Sequence, residues 1–111
     1  MILKISDDFS KTPGGRLKDE GEFSGEEFRD TILLPAYEQC EENGETLEIN
    51  FDDCIAFATS FLEEAFGGLV RKYGKSNVMN RIRLISHDDD SIPFLIEKYV
   101  NEAELSIKGR R

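Results

Sequence analysis

At 111 residues, with 39% hydrophobic residues and a net charge of −9, the chain is sized for one domain, residues 1–111, around a single core. The acid excess argues against nucleic acid, because phosphate-backbone affinity needs clustered Lys and Arg, and only "RKYGK" and the terminal "KGRR" gather bases here. No run approaches the roughly 20 apolar residues that span a bilayer, and "MILKISDDFS" lacks the segments of a secretion signal, so the expected setting is cytoplasmic with no membrane partner.

In chain order, "MILKI" reads as a short strand, and Pro13-Gly14-Gly15 after it as a tight turn. Ser24 with Glu27 predicts a capping box at a helix start. Phe28, Ile32, Leu33, Ala36, Tyr37 and Cys40 follow at helical spacing, with a kink or two short helices expected at Pro35 and an end at Asn43-Gly44. In "ETLEINFDD" the alternation of Leu47, Ile49 and Phe51 predicts a strand. A second capping box, Ser60 with Glu63, starts a helix whose stripe is Phe61, Leu62, Ala65, Phe66, Leu69, Val70 and Tyr73, and which Gly74 stops.

"NRIRLIS" predicts a further strand, with Ile82 and Leu84 on one side, and "HDDDSIP" a turn. Asp90 or Ser91 caps a last helix with Pro93 in its first turn and Phe94, Leu95, Tyr99 and Ala103 on its buried face. "LSIKGRR" adds a short strand or frays. Strands alternating with helices make this an α/β protein, a small sheet with helices mainly on one face and parallel in part. The two cysteines, Cys40 and Cys54, read as free thiols, and the single His87 has no companion at metal-ligand spacing. No cofactor motif occurs.

"ATSFLEEAFGGLVR", with "TPGGR", "GEFSGEEFRDTILLPAYE" and "INFDD", resembles the STAS-like domains of unknown function, small bacterial and archaeal proteins similar to anti-sigma factor antagonists. The resemblance implies a central mixed sheet packed by three to four helices on one side. In the antagonists, a histidine-kinase-like ATPase phosphorylates a serine where a strand's loop meets a helix. The matching position is Ser60, with Thr59 second. The antagonists carry Asp-Ser-Ser-Gly there, whereas this chain has Ala58-Thr59-Ser60-Phe61.

Each of these features has a structural reading beside the functional one. A helix cap, worth about 1 kcal/mol, accounts for Ser60 by itself. A phosphate there would gain from the helix dipole and be repelled by Glu63 and Glu64. Gly67-Gly68 inside a helix costs about 1 kcal/mol per glycine, offset by close packing or by a partner's approach. Pro13-Gly14-Gly15-Arg16 lacks the Lys-Ser/Thr ending of a nucleotide loop, and Arg16 and Arg29 are set to pair with acids.

The expected function is therefore a non-catalytic regulatory or adaptor domain that binds a protein partner, with Phe57, Phe61, Glu63 and Glu64 as contacts around Ser60. A basic partner would suit the charge. The alternatives are a Mg²⁺-dependent phosphoryl enzyme using the strand-end carboxylates Asp52, Asp53 and Asp88, and a self-associating structural component.

Overall fold

The computed structural model describes residues 1–109. Strands β1 (Ile2–Lys4), β2 (Leu47–Asn50) and β3 (Ile82–Ile85) lie in that order, and both pairings are parallel. Leu3 stands opposite Ile49, Ile49 opposite Leu84, and Leu47 opposite Ile82. Side chains alternate faces along a strand, so these residues share one side of the sheet. Leu3, Leu47, Ile49 and Ile82 are buried there, while Ile2 in the opposite row is 72% exposed. One face thus carries the helices, and parallel pairing follows because each connection between strands runs through helix.

Two short elements near the start were not legible in the sequence. Helix α1 (Ile5–Asp8) turns directly out of β1, and both Phe9 and Ser10 donate their N–H to the Ile5 carbonyl, at 3.0 and 2.8 Å. Residues 9–23 then form a strap with a 3-10 turn at Lys18–Glu20. The Pro-Gly-Gly turn holds that strap closed: the Gly14 N–H donates to the Phe23 carbonyl at 2.7 Å.

Ser24 caps the next helix as expected, its hydroxyl accepting the Glu27 N–H at 3.0 Å. Glu26, rather than Glu27, reaches back to a backbone N–H, that of Lys18 at 2.9 Å. Helix α2 (25–43) runs unbroken through Gly25–Phe28, a π turn at Arg29–Leu33 and Leu34–Asn43. The break expected at Pro35 is absorbed by that widened turn, which ends two residues before the proline. A wider turn leaves room where a missing N–H and the ring would disrupt a regular helix. Gly44, at φ 69°, ends α2.

Helix α3 (59–73) repeats the pattern, with Thr59–Leu62, a π turn at Glu63–Gly67 and Gly68–Tyr73. Gly74, at φ 86°, stops it as expected, but α4 (Lys75–Arg81) begins at once. That helix buries Val78 alone, so "KSNVMNR" carries no apolar period to betray it. Helix α5 (Ile92–Lys108) buries Ile92, Ile96, Tyr99, Val100 and Ala103. The expected face was misplaced at Phe94, which is 73% exposed, because Ile92 sets the phase. "LSIK" continues the helix instead of forming a strand, and Arg110 and Arg111 lie outside the described residues.

The helices α2 and α3 cross with their backbones in contact. A Cβ at Gly25 would lie 2.5 Å from the Phe61 carbonyl oxygen and 3.1 Å from its Cα. The paired glycines of α3 make room for side chains: a Cβ on Gly68 would meet Arg29 Nη1 at 2.5 Å, and one on Gly67 would meet Glu63 Oε2 at 2.5 Å. Packing within the chain therefore explains the two helix glycines. Below the crossing, Phe28 stacks on Phe61 at 5.5 Å between ring centres, and Phe9 tilts against both.

These contacts separate the glycines by consequence. Gly25→Ala pushes a methyl into backbone and should destabilise by about 1–3 kcal/mol. Gly67→Ala meets only the mobile ends of Glu63 and Arg71 and gains helix propensity of about 1 kcal/mol, so its stability should stay near that of the parent. Urea melts of the two variants check this. Equal stability for Gly25→Ala and the parent would contradict the contact.

Candidate functional site

The carboxyl ends of the parallel strands release their loops at one edge of the sheet, where open α/β sheets place their ligands. Three segments meet there. Lys4 Nζ pairs with Asp53 Oδ2 at 2.6 Å, and the Asp53 N–H donates to Asp88 Oδ2 at 2.9 Å. The Ile55 N–H donates to the Lys11 carbonyl at 2.9 Å, which ties the loop after β2 to the strap.

Asp52 organises this edge. Its Oδ1 accepts the N–H groups of His87 at 2.7 Å and Asp88 at 2.9 Å, and its Oδ2 sits 2.8 Å from His87 Nδ1. The carboxylate side chain is 13% exposed, while His87 is 80% exposed. The Asp88 N–H, followed by His87, holds the Asp52 carboxyl below its ordinary range. The acids Asp52, Asp53 and Asp88 do converge as the strand ends suggested. Their oxygens, however, are turned onto backbone N–H groups and Lys4, and among the described residues no group of three His, Cys, Asp or Glu side chains is disposed to hold a metal ion.

The loop after β2 leads into α3, and here the expected cap is corrected. The cap position is Ala58, whose backbone is extended at φ −69° and ψ 140° and which offers no side-chain hydrogen bond. Its carbonyl accepts the N–H groups of Phe61 at 3.1 Å and Leu62 at 3.3 Å. The cap therefore sits two residues early, and Ser60 lies within the first turn of the helix instead of capping it. Thr59 is exposed and Ser60 half-buried. Among the described residues neither hydroxyl has a hydrogen-bond partner in the protein.

Of the expected contact residues, Phe61 is withdrawn. It is fully buried against Phe28, so it belongs to the core. Phe57 is half-buried, edge-on to Phe51 at 5.4 Å. Ile55, two residues before it, was overlooked and is 80% exposed. An isoleucine in "DDCIAFATS" that fits neither a strand nor a helix period was the available signal.

Glu63 and Glu64 are engaged within the chain. Arg16 pairs with both, Arg71 pairs with Glu63 at 3.0 Å, and Arg29 pairs with Glu64 through its carboxylate and, at 3.1 Å, its carbonyl. Burial pushes the Glu63 carboxyl up, but Arg16 and Arg71 prevail and hold it low. Both cysteines are free, Cys40 buried and Cys54 half-buried. Burial, aided by Asp53, pushes the Cys54 thiol up to about 11, so it is protonated and inert at neutral pH.

Comparison with known families places a match over more than half of the chain. The model described as "STAS-like domain of unknown function (DUF4325)" matches residues 24–91, from the cap of α2 to the residue before α5. No curated protein and no solved structure gives a significant match. Among the described residues no helix is long and apolar enough to cross a membrane.

The Asp52 linkage has a definite sign. Its folded carboxyl sits below the unfolded value of about 3.9, so its stabilisation is complete above that value and is lost as pH falls through the folded value. Asp52→Ala should therefore flatten the loss of stability between about pH 5 and pH 2. Denaturant midpoints measured across that window test it, and parallel curves for variant and parent would contradict it.

Proposed function

Because the chain belongs to the family of STAS-like domains of unknown function, which are generally non-catalytic, we propose that it is a regulatory or adaptor domain that binds a protein partner through the entrance of α3. The observation that carries this reading is the juxtaposition, at that entrance, of two unpartnered hydroxyls with a protruding apolar side chain. Thr59 is exposed, Ser60 half-buried, and Ile55, in the loop leading to them, 80% exposed. Single exposed hydrophobes are common. This one stands on a loop pinned at Lys11 and Asp88, so it is held out from the surface by fixed backbone.

Ser60, with Thr59 second, is the modifiable residue of this reading, and Ile55 and Phe57 supply the apolar contact. Asp7 and Asp8 at the end of α1 and Asp88 and Asp90 in the turn after β3 are exposed, which favours a partner surface lined with Lys or Arg. By the resemblance to anti-sigma factor antagonists, the partner is a histidine-kinase-like ATPase. In the phosphorylation step the Ser60 oxygen attacks the γ-phosphorus of ATP, the bond to ADP breaks, and the hydroxyl proton passes to a base of the kinase. No cofactor of the domain enters.

The test pairs the protein with the histidine-kinase-like ATPase of its own cells. Intact mass after incubation with Mg·ATP should rise by one phosphoryl group, mapped to Ser60 or Thr59. Ile55→Asp should weaken the complex at least about tenfold with an unchanged melting temperature. An unmodified protein beside a kinase active on another substrate would remove the switch, and undiminished binding by Ile55→Asp would remove the docking surface.

A further inference from the structure

The ion pairs that join the strap, α2 and α3 beyond Ser60 carry an uneven charge. Lys18, Arg16, Arg29 and Arg71 are set against Asp30, Glu63 and Glu64, all linked by ion pairs between 2.5 and 3.5 Å apart from the closer contact of Arg16 with Glu63. That linked group holds one cation in surplus, in a chain whose net charge is −9. Within it the three arginines are not equivalent. Arg29 is packed under Gly68, its side chain 19% exposed, and also bonds the Glu64 carbonyl. Arg71 serves Glu63 alone. Arg16 is shared between Glu63 and Glu64 and is 38% exposed, and its removal leaves Glu63 with Arg71 and Glu64 with Arg29.

Residues three and four apart on a helix lie on one face, so Ser60 shares a face of α3 with Glu63 and Glu64, the two carboxylates that hold the Arg16 guanidinium. The backbone beneath Arg16 is already fixed. The Gly15 and Arg16 carbonyls accept the N–H groups of Gly25 at 2.8 Å and Glu26 at 3.0 Å, and the nearby Glu20 is turned back onto the Leu17 N–H at 2.8 Å.

Resting on the Ser60 reading above, we propose that Arg16 is the phosphate-binding residue of the switch: it leaves Glu63 and Glu64 and takes a phosphoryl group carried by Ser60, one helical turn earlier. A phosphate dianion outcompetes a carboxylate for a guanidinium because it offers more charge to the same two-pronged pairing. The repulsion from Glu63 and Glu64 that the sequence suggests is thereby answered, since Arg71 and Arg29 still hold those carboxylates. The exchange also changes what a partner meets. Arg16 and Lys11 belong to the same strap, and the Lys11 carbonyl holds the Ile55 N–H, so the phosphate is tied to the segment that presents the docking side chain.

The experiment installs phosphoserine at position 60 during synthesis, without any kinase, and follows the phosphorus resonance against pH. An exposed phosphoserine titrates near about 6. Pairing with Arg16 should lower that midpoint, and Arg16→Gln should raise it again by about half a pH unit or more, whereas Arg71→Gln should move it less. If Arg16→Gln does not fold, as a thermal melt would reveal, Arg16→Lys takes its place and should raise the midpoint part of the way. A midpoint indifferent to the folded Arg16 variant overturns the proposal. Because the phosphate is installed chemically, this outcome is independent of whether the kinase modifies Ser60.

Discussion

Gly25 brings the backbone of α2 against the Phe61 carbonyl, and one turn further on Arg29 reaches across to Glu64 on α3. Most of the molecule follows from this crossing. With no Cβ at position 25, the two helices approach closely enough for Phe28 and Phe61 to stack beneath them. Gly68 leaves the space that the Arg29 side chain fills. A half-buried guanidinium is favourable only when its partners are in place, and here a carboxylate and a carbonyl of one residue receive it. Burial pulls the Arg29 charge down, and Glu64 with Asp30 more than restores it.

Both helices carry a π turn at this crossing, and Arg29, Glu63 and Glu64 all lie on those turns. A π turn is uncommon and is often found at functional sites. Here the two turns let paired residues face one another across the contact. The entrance of α3 is set by the same geometry. With Phe61, Leu62 and Phe66 committed to the core, the chain before them emerges at the carboxyl edge of the sheet, and Asp52 pins the neighbouring turn through two N–H groups. The docking loop is thus held from the crossing on one side and from the Asp52 turn on the other.

Much of this frame was legible in the sequence, because period and turn chemistry act locally. The alternation in "LEINFDD", the Ser24 cap and the left-handed glycines at 44 and 74 each announce their element without help from the rest of the fold. The failures have a shared cause in longer-range packing. Ser60 satisfies the capping pattern, yet the helix begins earlier because Ala58 supplies the carbonyl and Phe61 must enter the core. Phe94 looks like core in a local window and faces solvent because Ile92 sets the phase of α5. Glu63 and Glu64 look like surface acids until Arg16, separated by more than forty positions in sequence, is brought onto them. Gly67 and Gly68 stand out within a helix, but Arg29, the α2 residue that Gly68 accommodates, could not be read from α3 itself.

A double-mutant cycle between Arg29 and Glu64 tests the crossing most directly. Arg29→Gln, Glu64→Gln and the double variant would be compared by urea unfolding with the parent. If this pair locks α2 onto α3, the two single losses should exceed the double loss by about 1 kcal/mol or more, within the range seen for contacting residues. Losses that simply add would mean that the helices cross without it, and the account of how α3 presents its entrance would fail.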